Sequence, residues 1–328
     1  MDRRVAVALF PPLVLVALAL AWPGRGVPRP LVTARVARPT LPPPGPEHPV
    51  RFVAVGDTGT GGALAFQVAA RMGAWCEERG CDFAVLLGDN IYPDGAASAD
   101  DPIWTTHVDR VFAPVRAPLL AILGNHDYGG RGAGFERERG MAQIRRSDVA
   151  AHWYMEAPYW HLVAGDVELL LLDTQAQLFR SDEAQQAAVD GWLVASRARW
   201  RIALGHHPYL SNGTHGDAGN YAGFAFLPLA GGMGVRDFLE EHICGRVDLY
   251  LSAHDHSRQF LTETCRGTEL AISGAGAKPT AIRDRHPARF ASSEPGFVDV
   301  RTDGGRLVVS FVDVEGRVNF QREVVGRR

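Results

Sequence analysis

The sequence predicts an α/β fold, on three observations. From Arg51 onward, short apolar runs alternate with stretches of helical periodicity. Five of the apolar runs end in a short block rich in glycine, carboxylate, amide or imidazole. Beyond Gly296 the pattern changes to strands joined by tight-turn signals, which makes the last part of the chain largely antiparallel.

Taken in order, Arg51–Gly56 reads as a buried strand, followed by a helix near Ala63–Arg79. Phe83–Gly88, Leu119–Gly124 and Glu168–Thr174 are the next strands. Asp182–Ala198 reads as a helix with Asp182 as N-cap and Gln185 three residues on, a capping-box pattern. Arg201–Gly205 and Asp248–Ser252 are strands separated by a helix around Val235–His242. Gly296–Arg301, Arg306–Val312 and Val318–Val324 follow, joined at Asp303-Gly304-Gly305 and Glu315-Gly316. The charged run Phe135–Arg146 reads as a solvated helix or loop. Trp153, Tyr154, Tyr159 and Trp160 read as core or edge packing in preference to a substrate platform. No internal repeat is evident, and one α/β domain is the economical description.

The chain has 328 residues, 46% of them hydrophobic, enough for one large core. Net charge is −3; six Arg against one Asp and one Glu give residues 1–49 a charge of +4, which leaves −7 for the rest. An acidic body argues against nucleic acid as a partner, because phosphate backbones need a basic surface. Arg3 and Arg4 precede an apolar stretch from Val5 to Trp22, and Ala19-Leu20-Ala21 resembles a small-x-small cleavage site. The stretch is interrupted by Pro11-Pro12 and falls short of the ~20 residues a spanning helix prefers. Residues 1–22 therefore read as an export signal, cleaved in preference to retained as a membrane anchor, and the protein as periplasmic or secreted. Residues 23–49 contain nine prolines and read as an extended linker ahead of a domain over 50–328. Cys76, Cys81, Cys244 and Cys265 fit an oxidising compartment. Locality favours pairing Cys76 with Cys81 and Cys244 with Cys265, although three connectivities are open.

Five blocks carry the chemistry: Gly56-Asp57-Thr58-Gly59, Gly88-Asp89-Asn90-Ile91-Tyr92, Gly124-Asn125-His126-Asp127, Gly205-His206-His207-Pro208 and Ala253-His254-Asp255-His256. Strand-end loops of an open α/β sheet converge at one edge over a rigid base. These loops supply two carboxylates (Asp57, Asp89), a phenol (Tyr92), an amide oxygen (Asn125) and three imidazoles (His206, His254, His256). That is enough for two cations side by side. His254 and His256 are two apart, so a regular strand would turn both to one face. Singly each block is weak: Gly-Asp-x-Gly is usually a turn, and His207 before Pro208 reads as structural. Asp173 reads as a residue that caps or orients a loop. The joint occurrence at successive strand ends is what points to metal.

In these blocks and their order the chain resembles the calcineurin-like metallophosphoesterase superfamily, and within it the purple acid phosphatases of the small tartrate-resistant type. Ser273-Gly274-Ala275-Gly276 adds to the resemblance, which runs from about residue 50 to the end. The wider superfamily has His two residues after the first Asp; here Gly59 stands there, and Tyr92, three residues after Asp89, marks the purple branch. The resemblance implies an α/β/β/α sandwich of two packed mixed sheets flanked by helices. It implies one metal held by Asp57, Tyr92 and His256, a second held by Asn125, His206 and His254, and Asp89 bridging them. Fe(III) would occupy the tyrosine site and Fe(II), Zn(II) or Mn(II) the other. A hard phenolate and carboxylates suit a trivalent ion, and an amide with two imidazoles a divalent one.

The expected activity is acid hydrolysis of small phosphomonoesters. Two ions ~3.5–4 Å apart lower the pKa of a bound water, which attacks in line as hydroxide. His126 and His215 match outer histidines that bind phosphate and protonate the leaving alcohol. A phosphodiesterase or nucleotide-pyrophosphate hydrolase on the same metals is the alternative, to be decided by the loops Tyr128–Arg146 and Tyr209–Phe226. A non-catalytic, surface-displayed binding module is the third reading. Two residues depart from the pattern: Ala253 stands where Gly is usual, and Thr58 where animal relatives carry a bulky aromatic. Oligomeric state is not legible.

Overall fold

The computed structural model describes residues 38–326 apart from 46, 180, 224–230 and 304. The proposed export segment, residues 1–22, and the linker up to residue 37 lie outside the described residues. Among the described residues no helix is long and apolar enough to cross a membrane.

Two seven-stranded sheets face each other. The first begins with β1 (Arg51–Val55), β2 (Phe83–Leu87), β3 (Leu119–Ile122) and β4 (Trp153–Tyr154), all parallel. Every residue of the runs Phe83–Leu87 and Leu119–Ile122 is buried, as expected of parallel strands covered on both faces. The second sheet is built from β5 (Trp160–Ala164), β6 (Val167–Leu171), β7 (Trp200–Leu204), β8 (Leu249–Ser252), β9 (Arg258–Cys265), β10 (Thr268–Ser273) and β11 (Ala288–Ser292). Its strands β6, β7, β8 and β10 are parallel, while β5, β9 and β11 run antiparallel to their neighbours. The chain then returns to the first sheet. There β12 (Gly296–Asp303) pairs antiparallel with β1 and is followed by β13 (Arg306–Asp313) and β14 (Val318–Val324).

Period-two alternation decides which side chains meet between the sheets. Phe52, Ala54, Val85, Leu87, Leu120 and Ile122 from the first pack against Leu169, Leu171, Ile202, Leu204 and Leu251 from the second. At about 1.5–3 kcal/mol per fully buried large aliphatic or aromatic side chain, this interface is the main source of cohesion. Helices close the outer faces. α1 (Ala63–Arg79) sets Trp75 edge-on to Phe297 of β12 and donates its indole N–H to Asp299 at 3.1 Å. α2 (Arg137–Arg146) packs beside β4, its fully buried Gln143 accepting the Trp153 indole N–H through its backbone oxygen. α3 (Thr174–Phe179), α4 (Glu183–Ala195) and α5 (Met233–Phe238) follow. The last two put Val189, Leu193, Val235 and Phe238 onto Leu170, Ala203 and Tyr250. The architecture is therefore the expected α/β/β/α sandwich.

Several expectations need correction. Phe135–Arg146 is not simply solvated: Ala142, Gln143 and Ile144 are buried. The strand expected to reach Thr174 stops at Leu171, and Thr174 opens α3. The capping box is half formed. Asp182 accepts from Gln185 N at 3.1 Å, but the Gln185 carboxamide turns to the Asp173 backbone, and Gln177 takes the Asp182 N–H instead. The aromatic cluster lies mostly in β4 and β5, with Trp153 and Trp160 buried, as packing residues. Both disulfides form as locality favours. Cys76–Cys81 ties the end of α1 to the start of β2, and Cys244–Cys265 ties the turn after α5 to the end of β9. The proline-rich segment from Arg38 runs along the body: Arg38 pairs with Glu156 at 3.0 Å, and Gly45 N–H donates to Gly165 O at 2.8 Å.

Candidate metal centre

β1, β2 and β3 of one sheet and β7 and β8 of the other end at the same edge, and all five blocks begin within three residues of those ends. The backbone turns there are tight. Asp57, Asp89 and His254 all adopt left-handed conformations, with φ of 59°, 54° and 65°. Such backbone costs of order 1–3 kcal/mol per residue and is typically retained at functional sites. His254 and His256 do not lie on a strand as expected. They belong to the loop before Arg258, and the left-handed turn at His254 aims them.

The seven candidate ligands come together in two groups. In one, the Tyr92 hydroxyl lies 3.0 Å from Asp57 Oδ1 and 3.4 Å from His256 Nε2, with His256 Nε2 also 3.4 Å from Asp57 Oδ1. In the other, His206 Nε2 lies 3.0 Å from Asn125 Oδ1 and 3.2 Å from His254 Nδ1. Asp89 touches both groups: its Oδ1 is 3.5 Å from His206 Nε2, and its charge acts on Tyr92. Asp57, Asp89 and His206 offer ligand atoms all within 4.8 Å of one another. Outer contacts orient the ligands. His206 Nδ1 is 2.9 Å from Leu87 O, which fixes its N–H there and leaves Nε2 as a lone pair facing inward. Asn125 donates its amide N–H to Gly132 O at 2.9 Å and so turns its oxygen inward.

This donor set fits cations. Burial, reinforced by His215, His207, His206 and His256, pulls His254 well below the ordinary imidazole value and keeps it a neutral donor. Burial pushes Asp57 up, but His256, His206 and Tyr92 outweigh it and hold the carboxylate ionised. Burial, Asp57 and Asp89 push the Tyr92 phenol well above its usual value, so only a strongly Lewis-acidic partner would make it a phenolate. His256 Nδ1 is buried with no hydrogen-bond partner among the described residues.

The remaining candidates flank the cluster. The His126 ring meets the Tyr92 ring edge-on at 4.5 Å, and its Nδ1 lies 2.7 Å from Pro93 O. The His215 ring lies 4.4 Å from that of His254 and 5.6 Å from that of His256. His207 is buried against Thr174 Oγ1 at 2.8 Å, in the structural role expected of it.

Sequence reasoning missed the braces. Asp127 accepts from Gly124 N, Asn90 N and Gln143 Nε2, and so locks the β2 and β3 loops together; burial and Asp89 push it up to about 7. Asp255 accepts from His215 N at 2.7 Å and Gly216 N at 3.2 Å, and so holds the His215 loop. Both residues stand inside the blocks, and their position beside ligands was the available signal. The departures have physical readings. A Cβ at Gly59 would lie 2.3 Å from Asn90 C and 2.4 Å from Ile91 N, so the loop delivering Tyr92 excludes any side chain there. Ala253 is fully buried, its methyl against Gly56. Thr58 is buried with Oγ1 unpartnered among the described residues, and its effect on the pocket has no structural explanation.

Among solved structures, the chain superposes on the purple acid phosphatase PPD1 from yellow lupin (Lupinus luteus) with TM-score 0.66 at 17% identity, covering 86% of this chain and 55% of that one. It superposes on GAP50, described as the anchor in the inner membrane complex of Plasmodium, with TM-score 0.67 at 20% identity, covering 85% and 90%. By sequence it is 28% identical to purple acid phosphatase 4 of Arabidopsis thaliana over 304 residues, 83% of each chain. It is also 28% identical to tartrate-resistant acid phosphatase type 5 of Sus scrofa over 319 residues, 85% of this chain and 87% of that one. Residues 50–258 match the family described as calcineurin-like phosphoesterase. That span runs from the start of the first strand to just past His256, and so takes in every candidate ligand. The chain belongs to the calcineurin-like phosphoesterase family.

Proposed function

We propose that this protein is an exported acid phosphatase that hydrolyses small phosphomonoesters at a dinuclear Fe(III)–M(II) centre, M being Fe, Zn or Mn. The observation that carries this reading is the division of seven donors into two groups that share Asp89. Asp57, Tyr92 and His256 would hold the trivalent ion, and Asn125, His206 and His254 the divalent one. Bound there, the pair supplies Lewis acidity for the phosphate oxygens and an acidified water. The acid phosphatases similar to the chain support the activity, and the two disulfides support an oxidising destination.

The protein's own groups do the rest. His126 is held by Pro93 O through Nδ1–H, and the doubly protonated ring would donate to a phosphate oxygen through Nε2. His215, whose backbone N–H is held by Asp255 and whose ring packs on His254, would give its proton to the departing oxygen. A group in that role matters most when the leaving alcohol is a poor one. His215→Asn should slow hydrolysis of an alkyl phosphate at least tenfold more than that of p-nitrophenyl phosphate. Equal losses on the two substrates would remove His215 from proton transfer.

A further inference from the structure

Between β10 and β11 a segment, residues 276–287, is tied by its backbone to the loop carrying His256 and to the loop carrying Asn212. Thr280 N–H donates to His256 O at 2.9 Å, and Arg283 N–H to Asn212 O at 2.6 Å. The Asn212 carboxamide oxygen accepts from Arg285 N at 2.9 Å and His286 N at 2.7 Å. A cavity of about 320 Å³ opens between this segment and the His215 loop, lined by Thr214, Asp217, Asn220, Ala222, Arg283 and Arg285. Its lining includes Thr214, the residue next to His215. In-line displacement sends the departing group toward the acid that protonates it, so the body of that group would enter this cavity.

The charge of the cavity is lopsided. Asp217 is already committed: its carboxylate lies 2.9 Å and 3.0 Å from His286 Nε2 and accepts from Ser211 N at 2.8 Å. Arg283 and Arg285 are exposed, and no described carboxylate pairs with either, although Asp284, itself exposed, stands between them in sequence. Among the described residues the pair's side chains make one hydrogen bond, a long one from Arg285 Nη1 to Ser211 O at 3.5 Å. Stray surface arginines would also be solvated. Two arginines that both line one concave space, on an anchored backbone next to the loop of the candidate acid, are more than that.

We propose that Arg283 and Arg285 form a leaving-group subsite that makes this enzyme prefer substrates whose departing group is itself anionic, such as a nucleoside diphosphate. The proposal rests on the phosphatase reading above. Guanidinium forks bind phosphate oxygens in charge-assisted pairs, which a neutral alcohol cannot match. In the step, a water oxygen gives up one proton to solvent and bonds to the terminal phosphorus, the bond from that phosphorus to the bridging oxygen breaks, and solvent later returns to His215 the proton it donates. The bridging oxygen keeps the electron pair and takes the proton of His215, and a nucleoside monophosphate departs.

The test compares ADP with phenyl phosphate in metal-loaded wild type and in the double variant R283Q/R285Q. The ratio of the two specificity constants should fall about tenfold in the variant, through KM for ADP. An unchanged ratio overturns the subsite. Equilibrium binding of methylenediphosphonate and of methylphosphonate reads the same residues without turnover. Selective loss of the diphosphonate supports the subsite; equal loss of both, or loss of neither, overturns it. A wild type that hydrolyses neither substrate refutes the parent reading, and the binding comparison still decides the subsite.

Discussion

Lys278, the only lysine in the chain, places its ammonium 3.6 Å from the centre of the Tyr92 ring. A cation over an aromatic face stabilises ring electron density, and it stabilises a phenolate more than a phenol. If Tyr92 ligates iron, Lys278 lowers the energy of the electrons that the phenolate sends to the metal on absorbing light. Lys278→Met should therefore move the visible band of the iron-loaded protein to longer wavelength. A band that stays put, or moves to shorter wavelength, would contradict the contact.

Gly124 is a second point of high sensitivity. A Cβ there would fall 2.3 Å from Asp89 Oδ1 and 2.4 Å from Asp89 N, distances that force the proposed bridging carboxylate to move. Gly124→Ala is expected to lower kcat/KM by roughly a hundredfold or more, because a misplacement of about 1 Å at a reacting centre has that effect. Metal content should fall with it while far-UV circular dichroism is retained. Full activity in the alanine variant would show that Asp89 has room the structure does not display.

Asp173 gives a pH dependence with a definite sign. Burial pushes its carboxyl up to about 6, against hydrogen bonds from Tyr128 Oη and Ala176 N. Its folded-state pKa thus lies above the unfolded value of ~3.9, so folding favours the protonated form. The favourable contribution is complete below about pH 4 and is lost as pH rises through 6. Asp173→Asn cannot ionise. The unfolding free energy of the variant relative to wild type should therefore rise by about 2–3 kcal/mol between pH 4 and pH 7. A difference that does not change over that interval would mean the carboxyl is not perturbed.

How much of this was legible in the sequence depends on where each residue's job is defined. The parallel strands were, because Phe83–Leu87 and Leu119–Ile122 are continuous apolar runs bounded by glycine blocks. So was the gathering of the seven candidate donors, which stand at fixed offsets from strand ends. β9 was not: Arg258 and Gln259 are polar yet fully buried, paired with Asn319 and Ser211 that lie far away in the chain. β11 is an edge strand of alternating exposure with little apolar signal beyond Phe290. The bracing contacts of Asp127, Asp255 and Gln143 were not legible for a related reason, since their partners belong to other loops, although Asp127 and Asp255 stand beside candidate ligands. Arg283 and Arg285 carry no motif, and only the folded segment brings them beside Thr214.

The central claim is that two cations, gathered by Asp89 and its neighbours, do the chemistry. Elemental analysis of the active protein, run alongside turnover during graded chelation and refilling, tests it most directly. The account predicts two tightly held cations per chain, at least one of them iron, with activity rising and falling as the pair is completed or broken. Full turnover with fewer than one bound cation per chain would contradict it.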